Sequence, residues 1–475
     1  MLRKSLWIDG QWREPAHYVQ LRSPHSNEMI AEVPAATIEE TNDAIASAYG
    51  ARSLMRAMPA HERAAILERV AALLHGRREE AARLIALEAA KPLKYARAEV
   101  DRTVQTYKFA AEEAKRLYGE TIPLDAAPGG EGRLAYTVRE PLGVIGAITP
   151  FNFPMNLVAH KVGPAVAAGN TVVLKPAGQT PLSAFMIAEL FHEGGLPPGA
   201  LNVVTGAGSI VGGGIVEDDR ISMVTFTGSP EVGKSRRERA GLKRVTLELG
   251  SNAALIVDRD VELERIIPRC VTGAFSNQGQ VCISLQRIYV HEAIFDDFVR
   301  RFCHAAEQLK VGDPLEPDTD VSAMIAVSET ERALAWVREA AEGGAKIVTG
   351  GKLSGGALAP TVLTDAAAHM KVSCMELFAP VAMIGKVSGL EEAIALVNDS
   401  KYGLQAGIYT NDIGKALQAA DELHVGGVMI NDIPTFRVDH MPYGGVKESG
   451  TGREGVKYAV QEMTELKLVV VNRSI

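Results

Sequence analysis

The sequence predicts an α/β fold with two α/β domains in succession. After Pro141, short continuous apolar segments alternate with helical patterns, and a second series of such segments begins after Gly250. Continuous apolar strands separated by helices indicate a parallel sheet that is covered on both faces. The length of 475 residues also exceeds what one hydrophobic core organises, which agrees with two or three domains.

The chain before these domains has a different character. Asp9-Gly10 predicts a tight hairpin turn between the short segments LWI and QW. Residues 38–117 are rich in Ala, Glu and Arg with apolar positions at helical spacing, and Lys91-Pro92 interrupts this helical region. Residues 118–140 carry a Gly/Pro loop followed by the alternating pattern RLAYTVRE, so we expect an extended arm with a hairpin there.

The strands expected in the first α/β domain are GVIGAIT, TVVLKP, LNVVTG, MVTFTG and VTLELG, with PLSAFMIAELFHEG among the helices between them. Those expected in the second are AALIVD, RIYV, KIVTGG, APTVL, PVAMIGKV and GVMIND. The C-terminal segment TELKLVVVNRSI is strongly β-prone and would expose an apolar edge on a monomer.

Charge and cysteine content narrow the functional classes. The net charge of −8 and the lack of a basic block argue against nucleic acid or an anionic membrane as a partner. No apolar run suits a signal peptide or a membrane helix. The four cysteines form no CxxC pair, which is typical of free thiols in a reducing compartment, so we expect a cytoplasmic protein without a metal site.

Three side chains could carry chemistry. Cys282 follows a Gly-rich, amide-bearing turn, although free cysteine is more often buried filler than a nucleophile. Glu248 ends the strand VTLELG and Asn152 follows the strand GVIGAI, and ligands bind at such carboxyl ends in open α/β sheets. A buried Glu suits a general base and a rigid amide suits an oxyanion site. Taken singly, Glu248 is equally well explained as a surface carboxylate. Asn152 is better explained as a loop residue whose side chain hydrogen-bonds within its own turn.

Glycines mark two candidate phosphate sites. Gly206, Gly208 and Gly212 form a near miss to GxGxxG, which is weak evidence by itself. Gly228-Ser229 stands between a strand and a helix that should begin near Glu231, where free N–H groups can meet a phosphate.

Two further side chains suit a nucleotide. Lys175, at a strand end, could donate to a ribose hydroxyl. Glu376, beside Phe378, could accept from two ribose hydroxyls while the aromatic ring covers a flat base, although a helix-start Glu is the commoner explanation of this pattern alone.

The motifs PFNFP, KPA, FTGS, LELG, GQVC, ELFAP and MPYGGVKESG, taken in this order, resemble the aldehyde dehydrogenase superfamily over essentially the whole chain. Positions 248 and 282 also keep the family spacing between the general-base Glu and the nucleophilic Cys. The resemblance implies an α/β aldehyde dehydrogenase-like fold with three parts. These are a Rossmann-like cofactor domain (1–117 and 141–248), a catalytic domain (249–444) and a β oligomerisation arm (118–140 and 456–475).

The resemblance also implies roles. Cys282 would attack an aldehyde, giving a thiohemiacetal and then a thioester, with Asn152 and the Cys282 N–H holding the oxyanion. Glu248 would activate the hydrolytic water, and Lys161 and Glu454 would lie near the proton path. Gly279 would let the backbone approach the substrate closely.

For the cofactor the resemblance implies NAD or NADP. Lys175 would bind the adenine ribose, Ser229 the pyrophosphate and Glu376 the nicotinamide ribose. The full expected set is Thr149, Pro150, Lys175, Gly178, Gly208, Phe226, Gly228, Ser229, Leu249, Glu376 and Phe378. Gly178 stands where strongly NAD-selective members carry Glu, so we expect both cofactors to be used. The family arm also implies a homodimer or homotetramer.

The C-terminal region resembles the lactaldehyde-, phosphonoacetaldehyde- and sulfolactaldehyde-type subgroup. Arg102 and Arg437 match arginines that can meet a substrate's anionic end, although Arg102 alone equally suits a solvated helix charge. Val281 stands where some phosphate- or phosphonate-binding relatives carry Arg. We therefore expect a short hydroxylated or anionic aldehyde as substrate.

Other functions stay open at this point. Glyceraldehyde phosphate or succinic semialdehyde could be oxidised by the same mechanism. A cysteine hydrolase would need a positioned His, a CoA-acylating enzyme would typically lack the base that Glu248 supplies, and a non-enzymatic scaffold would not need the three side chains together.

Overall fold

Two mainly parallel sheets form the framework of the computed structural model, which describes residues 2–473. Among the helices of that range, none combines the length and the apolar character needed to cross a bilayer.

The N-terminal part combines short strands with a helical layer. Asp9 and Gly10 adopt positive φ (58° and 70°), which forms the expected hairpin turn. Pro92 directly precedes the helix that begins at Leu93, so the break predicted at Lys91-Pro92 is confirmed. The elements are β1 (Leu2–Arg3), β2 (Leu6–Ile8), β3 (Gln11–Arg13), β4 (Tyr18–Arg22), β5 (Met29–Pro34), α1 (Ile38–Ala57), α2 (Ala60–Gly76), α3 (Arg78–Ala89) and α4 (Leu93–Ala114). The antiparallel pair β4–β5 was not predicted.

A separate small sheet follows. It contains β6 (Thr121–Ile122) and β7 (Arg133–Pro141), which form the predicted hairpin arm.

The first large sheet begins after this arm. Its elements are β8 (Val144–Ile148), α5 (Asn156–Ala168), β9 (Thr171–Lys175), α6 (Leu182–Glu193), β10 (Leu201–Val203), α7 (Gly213–Glu217), β11 (Met223–Thr227), α8 (Pro230–Arg239) and β12 (Arg244–Glu248). The strands run in the order β12-β11-β8-β9-β10 and are parallel, with β2 and β3 extending the far edge. All five predicted strands are therefore confirmed.

The parallel arrangement explains why dispersed motifs meet. β8, β9, β11 and β12 end together at one edge of the sheet, which places the segments that begin with Thr149, Pro176, Gly228 and Leu249 side by side. Helix α5 is buried along its whole length and packs against β8 and β9.

The second large sheet follows the order β15-β18-β19-β14-β13-β20-β21, parallel except for β15. The helices and strands of this part of the chain are β13 (Ala254–Val257), α9 (Leu263–Phe275), β14 (Arg287–His291), α10 (Phe295–Glu307), α11 (Val327–Glu342), β15 (Lys346–Thr349), β16 (Leu353–Ser354), β17 (Ala357–Leu358), β18 (Thr361–Thr364), α12 (Lys371–Cys374), β19 (Val381–Val387), α13 (Leu390–Asn398), β20 (Gln405–Tyr409), α14 (Ile413–Glu422) and β21 (Gly427–Ile430). Of these strands, β16 and β17 form a separate two-stranded sheet.

The internal strand β20, which lies next to the edge strand β21, was missed because Gln405 and Gly407 interrupt its apolar run. In the structure the Gln405 side chain is buried and donates to the Pro434 and Phe436 carbonyls, so a polar residue fits inside the sheet.

The C-terminal elements return to the earlier sheets. They are β22 (Gly450–Thr451), α15 (Val456–Glu462) and β23 (Thr464–Asn472). β22 pairs with β12, and β23 pairs with β7 along its full length. Leu466, Leu468 and Val470 of β23 share one face and are 57%, 52% and 45% exposed, so the predicted apolar edge is confirmed.

Candidate active site

The loop before Cys282 has an unusual backbone. Helix α9 ends at Phe275, and Asn277, Gln278 and Gly279 follow with φ of 50°, 55° and 67°. Left-handed conformations are costly for residues other than glycine and persist only where surrounding contacts enforce them. This turn redirects the chain so that Cys282 faces a cavity.

Two contacts hold the turn. The Gln278 Nε2 group donates to the Ala90 carbonyl at 2.7 Å and to the Ala323 carbonyl at 2.9 Å. A Cβ at Gly279 would lie 2.0 Å from the Ala379 carbonyl oxygen. The close approach that requires glycine is therefore to the Ala379 backbone, which corrects our expectation that Gly279 makes room for the substrate.

The Cys282 thiol is partly exposed, and its Sγ lies 2.7 Å from the hydroxyl of Tyr443. Burial raises the pKa of this thiol to about 11, and the Tyr443 hydrogen bond and the charge of Arg437 oppose that rise. Asn152 Nδ2 donates to the Gln280 carbonyl at 3.0 Å, which brings the Asn152 amide to the same loop.

Glu248 ends β12 and is buried at the same place. Both of its carboxylate oxygens lack a hydrogen-bond partner among the described residues. Burial raises the pKa of this carboxyl well above its usual value, and the negative charge of Glu454 raises it further. A carboxyl in this state suits a general base that works near neutral pH.

Glu454 is the centre of a buried charge network. Lys161 Nζ donates to Oε1 of Glu454 at 3.0 Å and to the Thr227 hydroxyl at 2.8 Å, and Arg437 Nη2 donates to Oε2 at 2.9 Å. Burial alone would raise the pKa of Glu454, but the charges of Lys161 and Arg437 hold it well below its usual value. The structure thus brings Lys161 and Glu454 close enough to Glu248 for their charges to act on it.

A first cavity, of about 230 Å³, contains Cys282 and both predicted substrate arginines in its wall. Arg102 donates through Nε and Nη2 to Asp439 at 3.1 and 2.7 Å, so it is not a freely solvated charge. Arg437 is stacked on the Tyr443 ring, with 3.6 Å between the guanidinium carbon and the ring centroid. Its buried Nε atom has no hydrogen-bond partner among the described residues.

A second cavity, of about 620 Å³, also has Cys282 in its wall. Asn152 and Glu248 line it together with six of the predicted cofactor residues, namely Pro150, Gly228, Ser229, Leu249, Glu376 and Phe378. Ser229 caps the N-terminus of α8 by accepting from the Val232 N–H, and the helix begins at Pro230, close to the predicted start near Glu231. Cys282 is thus shared by the two cavities.

The remaining predicted cofactor residues lie outside this lining. Thr149 and Phe226 are buried. Gly178 is exposed, and a Cβ added there would meet nothing within 4 Å. Lys175 is buried and donates to the Pro176 carbonyl at 3.1 Å, and burial lowers the pKa of its ammonium to about 8, with a smaller contribution from Arg236.

Arg236 is a neighbour of Lys175 that the sequence did not reveal. Its Nη2 donates to the carbonyl of Gly208 at 2.9 Å. A Cβ at Gly212 would lie 3.4 Å from Arg236 Nη2 and 3.8 Å from Lys175 Cδ, so the two cationic side chains converge there. Tyr443 is a second missed residue. The quoted motif MPYGGVKESG contained it, but nothing in the sequence showed that its hydroxyl reaches the thiol.

The pocket fits a dinucleotide. Glu376 accepts from the Ser251 N–H at 2.9 Å, and a Cβ at Gly250 would lie 2.4 Å from its other oxygen, so backbone closely surrounds this carboxylate. Burial raises the pKa of Glu376 to about 7. A carboxylate for ribose hydroxyls and a helix N-terminus for phosphate are therefore present in one cavity.

Among the described residues no cluster of His, Cys, Asp and Glu could hold a metal ion.

Comparison with known proteins agrees with this geometry. Residues 12–469 match the model of the "Aldehyde dehydrogenase family". The chain is 48% identical over 467 residues to a 3-sulfolactaldehyde dehydrogenase of Priestia megaterium, covering 98% of each chain. It is 41% identical over 475 residues to a lactaldehyde dehydrogenase of Methanocaldococcus jannaschii, covering 98% of this chain and 100% of that one.

Solved structures are similarly close. Aldehyde dehydrogenase 21 from Physcomitrella patens, in complex with the reaction product succinate, has a TM-score of 0.97 at 41% identity, covering 100% of this chain and 99% of that one. The NADP-dependent glyceraldehyde-3-phosphate dehydrogenase from Bacillus halodurans C-125, complexed with NADP, also has a TM-score of 0.97, at 39% identity and full coverage of both chains. The expected fold and enzyme class are confirmed: this chain belongs to the aldehyde dehydrogenase family.

Proposed function

We propose that the protein oxidises a short hydroxylated or anionic aldehyde to its carboxylic acid with NAD or NADP. The observation that carries this proposal is the position of the Cys282 thiol in the wall of both cavities. One cavity offers the carboxylate and helix end that suit a dinucleotide, the other offers Arg102, and Arg437 lines both. The thiol therefore lies where an aldehyde and a cofactor would meet.

The roles of the protein groups follow from their positions. The Cys282 thiolate attacks the carbonyl carbon, a C–S bond forms, and the negative charge that develops on oxygen is held by the Asn152 side chain and the Cys282 N–H. A bound NAD(P) supplies the hydride acceptor that allows oxidation to the thioester. Glu248 then takes a proton from water as the water attacks the thioester, the C–S bond breaks, and the acid and the Cys282 thiolate are released.

The cysteine-hydrolase alternative lacks its base. The side-chain partner of the Cys282 thiol is Tyr443, whereas His160 Nε2 lies 2.9 Å from Asp439 and 3.3 Å from Arg437. No described histidine is hydrogen-bonded to the thiol, which favours the dehydrogenase mechanism.

The anionic end of the substrate is assigned to the first cavity. Arg437 Nε is a buried donor without a partner, and a buried unpaired donor costs about 1–3 kcal/mol. An anionic or hydroxyl oxygen of the substrate would satisfy it. Arg102 uses Nε and Nη2 for Asp439, which leaves its Nη1 hydrogens for the same ligand. The names of the sulfolactaldehyde and lactaldehyde relatives and the succinate complex support this choice.

The cofactor preference is assigned to the surroundings of Lys175. The hydrogen-bond partners of Lys175 and Arg236 are backbone carbonyls, so these charges have no paired carboxylate in the described part of the chain. Gly178 supplies no acidic side chain to repel a 2′-phosphate. We therefore propose that NADP is accepted as well as NAD, with Arg236 contributing to the phosphate site.

The domain division and the assembly are also proposals. We assign 1–117 and 141–248 to the cofactor domain, 249–444 to the catalytic domain, and 118–140 with 456–475 to an oligomerisation arm. The exposed face of Leu466, Leu468 and Val470 supports a homodimer or homotetramer. The four free cysteines support a cytoplasmic location.

The direct test is a substrate panel. Reduced-cofactor absorbance would give kcat/KM for sulfolactaldehyde, lactaldehyde and succinic semialdehyde, and for unsubstituted aldehydes of matched chain length. We expect at least tenfold higher kcat/KM for one or more of the substituted aldehydes than for its matched control. Equal values throughout would contradict the substrate class, and no oxidation of any aldehyde would contradict the activity itself.

A further inference from the structure

The Tyr443 hydroxyl is held against the nucleophile by rigid surroundings. The Tyr443 side chain is buried, and its backbone forms an isolated antiparallel bridge with Glu454, in which Tyr443 N donates at 3.0 Å and Glu454 N donates back at 2.6 Å. The ring is covered by the Arg437 guanidinium at 3.6 Å. These contacts leave the hydroxyl 2.7 Å from Cys282 Sγ.

The thiol needs a stabilising partner. Burial disfavours the thiolate, and the nearby carboxyl groups of Glu376 and Glu248 disfavour it further. Among the described residues, no Lys, Arg or His side chain is hydrogen-bonded to Cys282 Sγ. The side chain that is hydrogen-bonded to Sγ is that of Tyr443. A hydrogen bond to an ionised acceptor is roughly twice as strong as one between neutral groups.

Tyr443 is suited to act as the donor. Burial raises the pKa of the phenol well above its usual value, and the neighbouring Cys282 contributes to the rise, so the hydroxyl keeps its proton. A thiolate has no hydrogen to donate, which fixes the direction of the bond. The Arg437 charge on the ring face draws electron density from the ring and strengthens the O–H as a donor.

We infer that Tyr443 is a catalytic residue of this enzyme, which stabilises Cys282 as the thiolate nucleophile by donating its phenolic hydrogen to Sγ. The thiol proton leaves to solvent through the cavity in an ordinary acid–base equilibrium, and Tyr443 gains and loses no covalent bond. The inference rests on the proposed function only for the use made of the thiolate, since the hydrogen bond exists in the absence of a substrate.

The test measures thiol ionisation rather than turnover. Full-length protein without aldehyde or cofactor would be alkylated with iodoacetamide between pH 6 and 9, where the rate is proportional to the thiolate fraction and its ratio between variants gives the pKa shift, and peptide mass spectrometry would follow modification of Cys282 alone. Tyr443→Phe should raise the apparent pKa of Cys282 by about one unit, and so lower the alkylation rate at pH 7.5 about tenfold. An unchanged pKa in the Phe variant would overturn the inference, whatever aldehyde the enzyme oxidises.

A matched control separates this effect from the loss of any buried hydroxyl. Tyr107 is fully buried, and its hydroxyl has no hydrogen-bond partner among the described residues. Tyr107→Phe should leave the pKa of Cys282 unchanged, and a shift equal to that of Tyr443→Phe would also overturn the inference. If Tyr443→Phe does not fold, incorporation of 3-fluorotyrosine at position 443 tests the donating role instead. Its more acidic phenol is a stronger donor and should lower the pKa of Cys282, whereas no shift or a rise would count against a donating role.

Discussion

Arg437 and Glu454 form a buried ion pair, with Nη2 2.9 Å from Oε2 and side chains that are only 7% and 3% exposed. Arg437 lines the cavity that we assign to the substrate, while the charge of Glu454 raises the pKa of Glu248. The pair therefore joins the part of the site that would bind the substrate to the part that would activate water. A substitution at Arg437 should therefore change both the binding of the substrate and the activation of water.

Replacing Arg437 by Met separates its two effects. For an anionic aldehyde KM should rise at least tenfold, about 1.4 kcal/mol, while KM for a neutral aldehyde of the same length should hardly change. Because the lost positive charge lets the pKa of Glu248 rise further, kcat at pH 7 should fall for both substrates. Steady-state kinetics with the two aldehydes would measure this. Arg269→Met, which removes another cation from the same cavity wall, is the control. Equal KM losses for the charged and neutral aldehydes would make Arg437 structural.

Cys282 and Glu248 should fail at different steps. Cys282→Ala should abolish oxidation while the protein still binds cofactor, since no thioester can form. Glu248→Gln should still release one equivalent of reduced cofactor in a burst, followed by slow turnover, because the base is needed only after acylation. Stopped-flow absorbance distinguishes the two outcomes. Absence of the burst in Glu248→Gln would show that Glu248 is needed for acylation as well.

Glu454 should set the pH at which Glu248 becomes active. A general base works in its ionised form, so its raised pKa makes deacylation faster as the pH rises through that value. Glu454→Gln removes a nearby negative charge, which lowers the pKa of Glu248 and moves the acidic limb of the pH–rate profile to lower pH. Single-turnover hydrolysis of the acyl-enzyme between pH 5 and 9 would test this. A shift in the opposite direction would mean that loss of the Lys161 and Arg437 contacts distorts the site.

The cofactor preference should respond to two substitutions. Gly178→Glu places a carboxylate in open space and should shift the ratio of kcat/KM toward NAD, because it repels a 2′-phosphate. Arg236→Gln should lower kcat/KM for NADP about tenfold and leave the value for NAD nearly unchanged. Kinetics with each cofactor at a fixed aldehyde concentration would measure both ratios. If neither ratio moves, another part of the chain selects the cofactor.

Glycine at 279 should be essential for stability, whereas glycine at 178 should not. Gly279→Ala puts a Cβ 2.0 Å from the Ala379 carbonyl oxygen on a residue with φ of 67°, and should cost on the order of 2–4 kcal/mol. Gly178→Ala meets no atom within 4 Å and should stay within about 0.5 kcal/mol of the wild type. Denaturant unfolding of both variants provides the comparison. A stable Gly279→Ala protein would show that the Ala379 segment can move away.

The sequence was informative where one local pattern determines the outcome. The five strands from β8 to β12 are continuous apolar runs, and Glu248 and Asn152 were identified because one ends a strand and the other follows a strand. The pattern failed at β20, where Gln405 and Gly407 interrupt the run but tertiary contacts satisfy the polar side chain. Local pattern also explains why the predicted arm and its exposed edge were found.

Partnerships between distant residues were not visible in the sequence. Arg102 looked like a possible solvated charge because its carboxylate partner, Asp439, lies far away in the chain. Arg236 and Tyr443 were passed over for the same reason, since their significance depends on neighbours that only the fold supplies, Lys175 and Cys282. Motif spacing identifies the reacting groups, whereas the positions of Arg236 and Tyr443 beside Lys175 and Cys282 depend on the fold.

The left-handed turn before Cys282 has a consequence for how this protein loses activity on heating. Gln278 ties the turn to the carbonyls of Ala90 and Ala323, and these lie in segments on either side of the cysteine loop. Once either segment loosens, Asn277 and Gln278 can relax to ordinary backbone angles and carry the thiol out of position. Catalysis should therefore be lost with a local loosening of this turn, before the fold as a whole is lost. Thermal inactivation should precede the loss of helical circular dichroism. Cys282 should lose its position in the active site while most of the chain is still folded.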